Sequence, residues 1–62
     1  MKTAVFEGEI FSYYISNEFD GNHILRMSSS KRGRLNVWWG IRNPSPQEIS
    51  ELFDQHKGKN GG

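Results

Sequence analysis

One stretch of this chain reads as helix, and it offers a single narrow apolar stripe. Ser45 and Glu48 form an S-x-x-E capping box, with Pro46 at the first helical position and Pro44 placed to staple onto Ile49. Ile49, Leu52, Phe53 and His56 follow at i, i+3, i+4 and i+7, while Glu48, Ser50, Glu51 and Asp54 lie off that stripe. Lys57 suits the negative end of the helix dipole and Gly58 suits the position just past the end. A helix of this kind can cover one face of one small sheet. Any sheet that precedes it must leave its other face open.

The residues before the helix read as strands. Val5, Phe6, Ile10, Phe11, Tyr13, Tyr14 and Ile15 enrich residues 3–16 in strand formers, and Gly8 interrupts them as either a bulge or a tight hairpin turn. Asp20-Gly21 is a turn signal. His23 to Ser29 reads as a strand, Ser30-Lys31-Arg32-Gly33 as a turn, and Arg34 to Arg42 as the clearest strand. Short connections make consecutive strands antiparallel neighbours in a meander. The expected fold is α+β: three strands, with residues 3–10 as a candidate fourth, and one C-terminal helix on one face. Residues 1–58 are expected to form one small domain and residues 59–62 a flexible tail.

At 62 residues one core supplies only about 3–5 kcal/mol of net stability, yet 13% aromatic residues and a net charge of +1 argue for a folded chain. The absence of cysteine excludes a disulfide scaffold and a thiolate zinc site. The apolar runs are too short for a membrane span, and the start of the chain reads as that of a cytoplasmic protein.

Alternation across the strands sorts the side chains into two sets. Leu35, Val37, Trp39 and Ile41 share one apolar set with Leu25, Met27, Phe11, Tyr13 and Ile15, which is expected to meet the helix. The other set holds Tyr14, Ile24, Arg26, Ser28, Arg34, Asn36, Trp38 and Arg42, and no acid. Charge is segregated along the chain too. Residues 22–43 carry five basic and no acidic residues, net +5, and the rest carries three basic against seven acidic, net −4. A cationic, aromatic sheet face beside the basic Lys31-Arg32 turn suits a phosphate backbone. Arginine can fork onto guanine or clamp phosphate, Asn36 can read an adenine edge, and Trp38 can stack on an unpaired base.

Other readings stand beside this one. Trp38 next to arginine can be a cross-strand cation–π pair, or can be drawn into the core by a twist or bulge. Lys31 and Arg32 can be a solvated turn. The same patch, with Trp, Tyr and Arg as anchors, also suits a protein interface. So does the acidic helix face with Glu48, Glu51 and Asp54, facing a basic partner. Exposed strand edges could pair two copies of the chain.

Asn36-Val37-Trp38-Trp39-Gly40-Ile41, followed by Ser45-Pro46-Gln47-Glu48-Ile49, resembles the third strand and helix start of the plant ethylene-response-factor DNA-binding domain. The N-terminal arm-binding domains of tyrosine integrases have a similar architecture at this size. The resemblance implies a sheet face that enters the major groove, with Arg26, Arg34, Asn36 and Trp38 as contacts. The family's first strand is rich in arginine, whereas Tyr13 to Glu18 here contains none.

No catalytic arrangement emerges. The chain has no phosphate-binding glycine loop, and Ser28-Ser29-Ser30 has no local base. Glu7 and Glu9 read as an exposed acidic edge, His56 as a boundary packing residue, and His23 as either a phosphate contact or a plain strand residue. The expectation is a non-enzymatic regulator of phage or mobile-element type that needs no cofactor or metal. Its partner would be nucleic acid, DNA before RNA, bound through Tyr14, Arg26, Lys31, Arg32, Arg34, Asn36, Trp38 and Arg42, or else a host protein. It would be a monomer or a weak homodimer.

Overall fold

The computed structural model describes residues 1–17 and 21–58. Four strands, β1 (Lys2–Phe6), β2 (Glu9–Asn17), β3 (His23–Ser29) and β4 (Gly33–Trp39), form one antiparallel sheet in the order β1-β2-β3-β4, and α1 (Pro46–Lys57) packs on it. The candidate fourth strand is therefore present as β1. Glu7 and Gly8 close the β1–β2 hairpin with φ of 50° and 79°. Two consecutive left-handed residues make the type I′ turn whose twist matches paired strands, and glycine adopts that conformation without steric cost. The expected Asp20-Gly21 turn lies partly, and the expected tail wholly, outside the described residues.

Register carries the side-chain alternation across the sheet. Tyr14 pairs with Arg26 and Arg26 with Asn36; Ser12 pairs with Ser28 and Ser28 with Arg34; Ser16 pairs with Ile24 and Ile24 with Trp38. Phe11, Leu25 and Met27 fall in the opposite phase and are buried with Ala4, Ile49 and Phe53. Phe11 and Phe53 join sheet to helix, with ring centroids 5.4 Å apart and tilted by 36°. The partly buried Tyr13, Ile15, Leu35, Val37 and Trp39 pack around this cluster.

The helix start follows its sequence signals. Ser45 Oγ accepts from the Glu48 N–H at 3.1 Å, and the Glu48 carboxylate accepts from the Ser45 N–H at 2.9 Å. Pro44 and Ile49 are both buried. His56 departs from expectation. It is exposed, because the core ends one turn earlier at Phe53.

β4 also ends earlier than expected. β3 begins at His23, which pairs with Trp39, so the sheet offers no partner to residues beyond it. The alternation stops there. Ile41, assigned to the core by parity, is 81% exposed.

Candidate nucleic-acid interface

The helix-free face is built by the outward positions of all four strands. Trp38 stands on it 69% exposed, while its neighbour Trp39 faces the helix side, half-buried. Arg34 and Asn36 lie beside Trp38 on β4, all three exposed. Arg26 and Ser28 continue the rows on β3, and Tyr14 and Ser12 on β2. Ser12, Tyr14, Arg26, Ser28, Arg34 and Asn36, with Met1, line a shallow depression of about 340 Å³. Among the described residues no carboxylate shares this face. The glutamates of the first hairpin sit in its turn (Glu7) and on the helix side (Glu9), and Glu48, Glu51 and Asp54 are on the helix. The face reaches further than the sequence indicated. Val5 and Ile10, paired across the β1–β2 hairpin, expose an apolar spot at its far end. Their parity with Thr3 and Ser12 was the available signal.

Two of the proposed contacts are not on this face. Arg32 is buried, 5% exposed, beneath the helix. Its guanidinium donates from Nε and Nη2 to the two Glu9 carboxylate oxygens at 2.9 and 2.7 Å, and from Nη1 to Asp54 Oδ1 at 2.6 Å and the Gly58 carbonyl at 2.9 Å. It also lies over the rings of Phe11 and Phe53, at 5.9 and 5.3 Å. A buried guanidinium with four of its five N–H donors committed to carboxylates and a carbonyl is not presented to a phosphate backbone. Ser29 organises the turn that delivers it: its Oγ accepts from the Lys31 and Arg32 N–H groups at 3.0 Å each and donates to Glu9. Glu9 is correspondingly buried rather than an exposed acidic edge. The sequence carried a signal for Glu9 alone, not for its partner. Glu9 shares parity with Phe11 and Tyr13, and a buried acid requires a cationic partner. Hydrogen bonding from Arg32, aided by Ser29, outweighs burial and holds the Glu9 carboxyl below its ordinary range. The Glu9 carboxylate in turn raises Arg32.

Arg42 lies past the end of β4 and folds over the other side. Its guanidinium sits 4.7 Å from the Trp39 ring centroid and forks onto Glu48 at 2.9 and 2.7 Å, while the Trp39 indole N–H donates to the Arg42 carbonyl at 2.9 Å. The Arg42 fork, with the Ser45 N–H behind it, draws the Glu48 carboxyl down to about 2. The acidic helix face is thereby largely committed within the fold. Glu48 serves Arg42 and the cap, Asp54 serves Arg32, and Glu51 accepts from Gln47 at 3.3 Å. His23 falls in the helix-side phase opposite Trp39, away from the open face. Lys31 stays exposed at the β3–β4 turn.

The face thus brings together Tyr14, Arg26, Arg34, Asn36 and Trp38, while Lys31, on the turn beyond it, lines a depression with Glu7, Glu9 and Asp54. Among the described residues no helix is long and apolar enough to cross a membrane. No protein family, curated protein or solved structure matches the chain in comparisons with known proteins.

Proposed function

We propose that this chain is a nucleic-acid-binding module that docks its helix-free sheet face on duplex DNA. The observation that supports this reading is the division of acidic charge between the two sides of one sheet, with the exposed Trp38 and Tyr14 on the side without described acids. Trp38, Arg34 and Asn36 project from the same strand into solvent, while the described acids lie on turns or on the helix side. Arg34 and Arg26 serve as phosphate or guanine contacts, Asn36 as a base-edge reader, and Trp38 and Tyr14 as planar surfaces against sugar or base. Lys31 holds a flanking phosphate. A sheet admits this arrangement because a strand ribbon fits the major groove.

Fluorescence anisotropy with labelled duplex and single-stranded oligonucleotides, across a salt series, tests the reading. About three phosphate contacts, from Arg26, Arg34 and Lys31, give a log K against log[salt] slope near roughly −2.7 on duplex. Preference for single strands would transfer the reading to base stacking on Trp38. Absence of binding to both at low salt would end it and leave the Trp38 patch to a protein partner.

A further inference from the structure

The two edges of the sheet are not equally protected. Of the four strands, the helix approaches β1 most closely, and Lys2 Nζ at that edge donates to Asn43 Oδ1 at 3.0 Å. β4 forms the opposite edge, and among the described residues β3 is its only strand neighbour. It contains no proline and carries one charge, Arg34. Its helix-side residues Leu35 and Val37 are only half-buried. An open edge of this kind is a template for a further strand.

The residues of β4 complement themselves. The seven residues Gly33–Trp39 have Asn36 at their midpoint. We propose that β4 pairs antiparallel with β4 of a second copy about a two-fold axis at Asn36, joining two four-stranded sheets into one of eight. In this register Arg34 faces Trp38 of the other copy twice over, a cross-strand cation–π pair on the open face. Leu35 faces Val37 on the helix side, so two half-buried residues gain cover from each other. Asn36 meets Asn36, amide to amide, and Gly33 lies opposite Trp39, an arrangement in which an aromatic ring covers a bare edge glycine. Shifting the register by two residues either way breaks both Arg34–Trp38 pairs and leaves part of the strand unpaired.

An interface one strand wide is small, so association is weak and concentration-dependent. Sedimentation equilibrium up to millimolar protein, without nucleic acid, tests it with three proteins: the unmodified chain, Asn36→Lys and Asn36→Asp. Asn36 is exposed, so both variants keep the fold, which a circular dichroism spectrum verifies. The unmodified chain is expected to dimerise. Each variant alone is expected to associate about tenfold more weakly, because like charges then face each other across the axis. An equimolar mixture of the two is expected to recover the dimer, since lysine then faces aspartate. A chain that stays monomeric, a dimer that neither variant weakens, or a mixture no stronger than its components would each overturn the proposal. Because nucleic acid is absent, these outcomes are independent of the binding proposed for the open face.

Discussion

Arg32 and Arg34 stand on either side of Gly33, and the fold uses them in opposite ways. Arg32 turns under the helix, where Glu9, Asp54, Phe11 and Phe53 surround it. Arg34 turns outward, beside Ser28 and one alternation from Asn36. One lies in a region where every buried side-chain nitrogen and oxygen among the described residues has a partner. The other lies on the face that the helix does not cover, on one strand with the exposed Asn36 and Trp38. Local sequence, a basic turn entering a strand, is the same for both. The difference comes from what lies across the sheet: the β2 residue reaching Arg32 is the in-phase acid Glu9, whereas the row through Arg34 continues in Ser28 and Ser12. Charge on a small protein therefore separates into a structural part and a recognition part, and a net charge of +1 conceals both.

Arg32→Ala should produce the largest change. It strands the Glu9 carboxylate in a buried site, and breaking such a pair from one side costs about 3–5 kcal/mol. A domain of this size holds about that much in total, so urea denaturation should find the variant largely unfolded. Replacing the pair together, Arg32→Met with Glu9→Leu, should recover most of that loss, which would sharpen the distinction between an internal clasp and a binding residue. Trp38→Ala should do the reverse. Stability should change by no more than about 0.5 kcal/mol, while nucleic-acid affinity should fall by about 1–3 kcal/mol in anisotropy titrations. A smaller effect belongs to Lys31→Ala, which should weaken binding evenly across sequences and flatten the salt slope by about 1.

The smallest effect concerns acid stability. Glu48 is held at about 2 in the folded protein against an ordinary 4.5. A lowered carboxyl favours the folded state above its ordinary value, and the benefit disappears as pH falls towards the folded value. Urea midpoints followed downward from pH 5 should thus decline less in Glu48→Gln than in the unmodified chain. A variant with the same decline would show that the Arg42–Glu48 fork contributes nothing to the acid response.

Much of the fold is written in local signals. Ser45, Pro46 and Glu48 specify where the helix begins whatever lies around it, because the cap is closed by residues three apart. The strict alternation of β4 separates Trp38 from Trp39, because side chains in a paired, pleated strand must take opposite sides. The same rule failed at Ile41 and Arg42. Parity holds only while a neighbouring strand keeps the backbone pleated, and β3 gives out opposite Trp39. Arg32 was misplaced for a different reason. Its burial depends on Glu9 and Asp54, more than twenty positions away in either direction, which meet only after the sheet and helix have come together. The open face was thus legible in Tyr14, Arg26, Arg34, Asn36 and Trp38, whereas the removal of Arg32 and Arg42 from it required the tertiary structure.

Amide and indole chemical shifts of the nitrogen-15-labelled chain, titrated with a short DNA duplex at low salt, test the central claim most directly. The account predicts that the perturbed signals cluster on Arg26, Arg34, Asn36 and the Trp38 indole, with Glu51, Gln55 and His56 on the helix unmoved. Perturbations centred on the helix, or none anywhere as duplex is added, would contradict it.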